Sequence, residues 1–221
     1  MSDLEITWKW DVTAPLHIGS GFSRAGFADR LVRIEEDGHA VIPSDAVKGA
    51  IRGSAEQLAR WLGSKQKEIE DASLPVIPVL KRIFAPSETS SFYRFPGCVS
   101  EEPVKAYTFA STKIDPDSRT ALDNTLRTIE LLPGGVTFSG KVQLLAGEWT
   151  DETNRDYKDL LFLLAAIAST TGIGGKKGSG VGKLKCRDLS AGGTPYSGLL
   201  TKVETIQTLR TLVLGERAHA G

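Results

Sequence analysis

Ile6, Trp8, Trp10 and Val12 place apolar side chains at every second position near the start of the chain, which predicts a strand over residues 6–18. Residues 20–36 are rich in Gly, Ser and Arg and read as a loop, with a short strand at 31–34 and a turn at Asp37-Gly38. Apolar residues then recur at Val47, Ile51, Ala55, Leu58 and Leu62, the spacing of one helical face. Ser44 or Asp45 stands where it can cap that helix, which runs to about residue 62. Residues 75–84 are apolar but broken by proline, and 85–91 form a polar turn. Residues 92–99 read as a strand, 101–124 as a long polar stretch with no helical stripe, and 135–146 as another strand. Tyr157, Leu160, Leu161, Leu164, Ile167 and Ala168 make the strongest helical stripe, within 153–170. A glycine cluster ends it, and 181–189 read as the closing strand. The tail from 191 carries a modest amphipathic pattern over 203–214.

That order, strand–helix–strand–strand–helix–strand, predicts an α+β fold of the ferredoxin-like, split βαβ kind. A chain of 221 residues is one domain, or one domain with insertions. Residues 1–190 are read as that domain and 191–221 as a tail, helical or partly disordered. The longest apolar run, 160–168, is far short of the roughly 20 residues a membrane span needs. The acidic start has no signal-peptide shape. The two cysteines, Cys98 and Cys186, lie far apart in β-like runs and fit no metal pattern, so they read as reduced thiols of a cytoplasmic protein. Lys+Arg 27 balances Asp+Glu 27, which excludes a bulk polycation. Nucleic-acid binding then depends on local patches. Lys176, Lys177, Lys183, Lys185 and Arg187 gather around the glycine cluster and acidic residues over 148–159, which predicts two differently charged faces.

The cluster over residues 172–183 holds six glycines and three lysines. Glycine lets a backbone approach a ligand closely, and freed N–H groups cradle anions. The segment therefore reads as a phosphate-contacting loop; the bland alternative is a flexible turn. A Walker loop fails, because Gly182-Lys183 is followed by Leu184 and the required glycine falls on Lys177. The Gly-x-Gly-x-x-Gly fingerprint fails too, at Lys177 and Lys185. Both motifs also run from strand to helix, the reverse of the order here. A nucleotide-dependent enzyme is disfavoured.

Four segments in order carry a resemblance: Pro15-Leu16-His17-Ile18-Gly19, Ile42-Pro43-Ser44-Asp45 leading into Lys48 and Arg52, Thr112-Lys113-Ile114-Asp115-Pro116, and the glycine cluster. Over residues 13–188 the chain resembles the RAMP superfamily of CRISPR-associated proteins, most closely the small backbone subunit of type III effector complexes. The resemblance implies a ferredoxin-like palm with a thumb insertion at about 101–124. It implies partners: guide RNA, single-stranded target RNA, copies of itself or related RAMP subunits, and other effector-complex subunits, with no membrane. It also implies an endoribonuclease of antiviral defence, cutting target RNA at regular intervals beside each base that a thumb displaces.

Carried over residue by residue, the resemblance makes Asp29 the catalytic and metal-holding carboxylate, in the loop after the first strand. Asp37 is the competing carboxylate, but the turn at Asp37-Gly38 already accounts for it. A carboxylate can hold a hydrated divalent ion, Mg²⁺ or Mn²⁺, near a phosphate. The resemblance implies a cleavage mode in which the RNA 2′-hydroxyl gives up its proton and attacks the adjacent phosphorus while the 5′ oxygen leaves and is protonated, giving a 2′,3′-cyclic phosphate and a 5′-hydroxyl. Arg24 and Arg30 flank Asp29 as candidates for target phosphates. The RNA-binding candidates are His17, Ser44, Lys48, Arg52, Lys113, Ile114, Arg119, Lys176, Lys177 and Ser179, with Ile114 as an apolar wedge on the thumb. Lys48 and Arg52 lie one helical turn apart. Two alternatives stand beside this reading: a structural guide-binding subunit without cleavage, and an endoribonuclease that processes repeat RNA. The second usually has two ferredoxin-like halves and a general-base His or Tyr, whereas this chain offers one half and three histidines.

Overall fold

The computed structural model describes residues 2–19, 31–63, 77–84, 92–175 and 180–215. The predicted first strand forms, as β1 (Ser2–Val12), but it begins earlier and stops at Val12. Its centre pairs antiparallel with β7 (Thr137–Gly147) on one side and β8 (Leu184–Ala191) on the other. The predicted strand at 92–99 is two short pieces, β3 (Tyr93–Arg94) and β4 (Cys98–Ser100), both antiparallel to β7. Pro96-Gly97 separates them; proline cannot donate to a ladder, and Gly97 sits so close to the Ile42 carbonyl that a Cβ would be 2.5 Å from it. The edges are β2 (Val41–Ile42) beside β4 and β9 (Thr194–Pro195) beside β8, giving the order β2-β4-β7-β1-β8-β9.

Helix α1 (Ser44–Trp61) packs on α3 (Arg155–Ala168), much as the two apolar stripes require. The capping expectation for α1 fails. Its N-cap is Pro43, with no side-chain cap bond, so Ser44 is the first helical residue. In α3 the cap is Asn154, whose side chain accepts from the Asp156 N–H at 2.9 Å. The proline-broken run contains a helix after all, α2 (Pro78–Phe84), with Pro78 in the first turn, where a missing N–H costs nothing. The amphipathic tail is α4 (Val203–Gly215); Leu209, Leu212 and Val213 are buried and the helix rests on α2 and α3. It belongs to the core.

Trp8 and Trp10 are fully buried, with ring centroids 5.3 Å apart. Trp8 lies opposite Gly140 in the ladder, and a Cβ there would collide with its indole. Ile6, Val12, Phe138, Val142 and Leu144 join them in one cluster with Val47 and Ile51 of α1 and Leu160 and Phe162 of α3. The other face of the sheet is polar. Lys9 meets Glu101 at 2.5 Å, Arg187 meets Asp11 at 2.8 Å, and Lys141 meets Glu5 at 3.4 Å. Partial burial pushes the Asp11 carboxyl up, but bonds from Arg187 and Thr137 outweigh it and hold it below the usual value. Thr7, Lys9, Asp11, Ser139, Lys141, Lys185 and Arg187 give this face no aromatic platform for stacking bases.

Two expectations about charge are corrected. Arg187 belongs to that paired ladder, bonded to Asp11 and Asp188, and not to a basic patch around the glycine cluster. Asp159 is only 1% exposed and meets Arg82 of α2 by two 2.6 Å bonds, so it is no part of an acidic face. Burial pushes the thiols of Cys98 and Cys186 up to about 12, so both stay protonated at neutral pH. Among the described residues, no helix is long and apolar enough to cross a membrane.

Candidate nucleic-acid interface

The polar stretch assigned to a thumb rises from the sheet as a β-ribbon. β5 (Tyr107–Ser111) pairs antiparallel with β6 (Arg127–Leu131), so the arm extends past Asn124. A lone two-stranded ribbon is marginal in water. In this one Ile129 and Leu131 of β6 are buried, and at its base Leu132 joins the core. Ile114 and Ala121 form a bridge near the tip, and the Asp115 carboxylate organises the turn by accepting from the Asp117 N–H and the Ser118 hydroxyl. Ile114 is 57% exposed and Leu126 70%, although water disfavours both side chains. Lys113 and Arg119 are exposed beside Ile114, and Arg119 adopts φ +56°.

Three separate segments meet at the base of this arm. Leu16 and Leu132 exchange backbone bonds of 2.9 and 2.8 Å. His17 is 4% exposed, and its Nδ1 donates to the Glu130 carbonyl at 2.8 Å, leaving only Nε2 for any RNA contact by the ring. The His17 carbonyl accepts from the Gly175 N–H at 3.2 Å. Gly19 bridges Val32, whose N–H donates to Glu130 Oε2 at 3.1 Å. The arm, the loop after β1 and the glycine segment are thus bonded into one node around His17 and Glu130. Glu130 carried no signal in the sequence; it is one polar residue in an irregular stretch.

The described parts of the glycine segment, 172–175 and 180–183, pair as the two limbs of a narrow hairpin. Gly172 bridges Lys183, Ile173 N–H donates to the Gly182 carbonyl at 2.9 Å, and Gly182 N–H donates to the Pro15 carbonyl at 2.7 Å. Gly174 and Gly182 have φ of +84° and +76°. A Cβ on either would run into the carbonyl oxygen of His17 or Ile173, respectively. At these two glycines the close approach is therefore to the chain's own backbone and not to a phosphate. Gly182→Ala is expected to cost at least about 1–2 kcal/mol from the left-handed backbone alone. A thermal melt checks it; an unchanged Tm would mean the hairpin does not depend on this close fit.

On α1, the Lys48 ammonium lies 5.9 Å from the centre of the Phe95 ring, and Arg52 is paired with Glu56 at 2.8 Å. Such an exposed i,i+4 pair is worth only a few tenths of a kcal/mol, so Arg52 can exchange it for a phosphate. Ser44 is exposed at the helix start. Ala50, Gly53, Ser54 and Gln57 of α1 face the glycine hairpin across a groove of about 430 Å³. At about 100° per residue, Lys48 lies roughly 140° round the helix from Gly53. The basic pair and the groove therefore occupy different sides of α1.

Arg24, Asp29 and Arg30, and likewise Lys176, Lys177 and Ser179, lie outside the described residues. Described residues next to them meet at the same node, Gly19 and Val32 for the first set and Gly175 for the second. Among the described residues, no group of three or more His, Cys, Asp or Glu is arranged to hold a metal ion. Compared with known proteins, residues 11–185 match the family model described as RAMP superfamily. No curated protein matches the chain.

Proposed function

The chain belongs to the RAMP superfamily, and we propose that it is a backbone subunit of a type III CRISPR effector that binds guide RNA and cleaves complementary target RNA. Membership implies a CRISPR-associated, RNA-binding role with effector-complex partners. The ferredoxin-like palm is part of the same reading. It is supported by the antiparallel order β4-β7-β1-β8, with α1 between β1 and β4 and α3 between β7 and β8.

One observation carries the proposal: the node that joins the arm, the loop after β1 and the glycine hairpin. A protein that splays a base with an arm and cuts beside it needs those parts registered to one another. The arm offers exposed Ile114 as the wedge. The polar sheet face, lacking aromatic residues, argues against the base-stacking mode of RNA-recognition domains. Asp29 is the proposed catalytic carboxylate and the proposed ligand of Mg²⁺ or Mn²⁺. Among the described residues, which do not include Asp29, no group of three or more His, Cys, Asp or Glu is arranged to hold the ion. The chain's own task is to bind the guide and hold the target strand; the 2′-hydroxyl supplies the nucleophile, and the departing 5′ oxygen takes up a proton.

Co-purification tests the assembly. The chain, expressed with its effector partners, is expected to bring down small RNA of defined length. Cleavage of repeat RNA by the chain alone would favour the processing reading instead. Lys48→Ala with Arg52→Ala is expected to weaken guide binding at every sequence and to lower the slope of log affinity against log salt by about 1 per lost phosphate contact. An unchanged slope removes α1 from the RNA backbone.

A further inference from the structure

We infer that Glu130 is a positioning residue that locks the arm to the loop after β1, so that the two shift as one body. Its two polar ends are used on different segments. The Glu130 carbonyl takes the hydrogen of His17 Nδ1 at 2.8 Å; a carbonyl can only accept, so this bond also sets the imidazole tautomer. The Glu130 carboxylate takes the Val32 N–H at 3.1 Å. His17 and Val32 stand on the two sides of the loop whose ends are bridged at Gly19 and Val32. One residue of β6 thus grips both limbs of that loop. Beneath it, the backbone pair of Leu16 with Leu132 keeps β6 in register with the first limb. Beyond it, the His17 carbonyl passes the constraint to Gly175.

The two bonds differ in what replacement does to them. The carbonyl bond survives any substitution that leaves the backbone in place. The Val32 bond needs a side-chain acceptor at this length, but it does not need a charge. Glu130→Gln keeps an acceptor oxygen of the same reach, whereas Glu130→Ala and Glu130→Met remove it, the second with little change in volume. Resting on the reading under which the arm displaces bases and Asp29 cuts, Glu130 would register the displaced base with the cutting carboxylate.

The test uses the full chain and two readouts. In the free protein, amide hydrogen exchange at Val32 is expected to be about tenfold faster or more in Glu130→Ala and Glu130→Met, because the side-chain acceptor of its N–H is lost. Exchange in β1 and α3 stays as in the wild type, and Glu130→Gln keeps the protection. In the assembled complex the same two variants are expected to cut target RNA at least several-fold more slowly with guide binding unchanged, and Glu130→Gln to restore the rate. Should Glu130→Ala unfold, seen as fast exchange throughout β1 and α3, Glu130→Met carries the comparison. Equal Val32 exchange in all variants overturns the inference. So does a Glu130→Gln variant that behaves like Glu130→Ala, since the charge would then matter and not the acceptor. If the exchange pattern holds while the wild-type complex cuts no RNA, the lock stands and the proposed cleavage falls.

Discussion

Asp29→Ala is expected to reduce target-RNA cleavage by the assembled complex at least roughly a hundredfold, the scale on which removing one group that stabilises transition-state charge is felt. Guide binding and assembly are expected to stay intact, because the proposed guide contacts belong to other residues, Lys48 and Arg52 of α1 and Lys176 and Lys177 of the glycine cluster. The comparison to run beside it is Asp37→Ala. Asp37 is the other carboxylate of this region, and its Oδ1 accepts from the His39 N–H at 3.1 Å, in a turn where Gly38 has φ +88°. That bond explains Asp37 without chemistry, so its removal is expected to leave cleavage unchanged. Measuring product formation on a complementary RNA, with both variants in complexes of equal guide content, decides the matter. Undiminished cleavage by Asp29→Ala would transfer the protein to the structural, non-cutting reading. Loss of cleavage in Asp37→Ala with Asp29→Ala active would move the chemistry to Asp37.

Arg82→Ala is the second change with a large expected effect, and it acts on stability. Arg82 reaches from α2 to Asp159 on α3 by two bonds of 2.6 Å, from Nε to Oδ2 and from Nη2 to Oδ1. The Asp159 side chain is 2% exposed and that of Arg82 25%. Removing the arginine leaves a buried carboxylate without this partner, which typically costs about 3–5 kcal/mol. For a chain of this size about 2–4 °C of Tm follows each kcal/mol, so the melt is expected to fall by roughly 6–20 °C. Replacing both residues with apolar ones of similar volume, Arg82→Met with Asp159→Leu, is expected to recover most of that loss, since no charge then stays buried. If the single variant melts within a degree or two of the wild type, the pair is not holding α2 to α3.

The inner elements were legible wherever one face is wet and the other dry. Ile6, Trp8, Trp10 and Val12 alternate because β1 has the helices on one side and the charged ladder on the other. The stripes of α1 and α3 were legible for the same reason. The arm was not. All but one residue of β5 are exposed, so the alternation of Tyr107 and Phe109 marks no buried face, and its pairing with β6 is what reveals the strand. α2 was hidden by its shortness and its proline, and β3 and β4 by the break at Pro96-Gly97.

The candidate site was legible as residue types and not as an arrangement. Lys48, Arg52 and the glycine cluster stood out in the sequence, yet α1 separates the basic pair from the groove that the hairpin lines. His17 was singled out, but its partner Glu130 lies 113 positions away. No local pattern encodes a bond across that distance.

By itself, then, the sequence determined the wet and dry faces of the main strands and helices, the class of the fold and, through four ordered motifs, the superfamily. The faces and the fold class follow from side-chain chemistry repeated at fixed spacing, which is local information; the superfamily rests on the resemblance of those motifs to a family. The tertiary structure alone decided that helix α4 of the tail joins the core, that Asp159 and Arg187 are held by partners, that Gly174 and Gly182 make room for backbone, and that Glu130 ties the arm to the first loop. Each of these depends on which distant carbonyl, carboxylate or ring arrives beside a residue, and that is set only when the sheet closes.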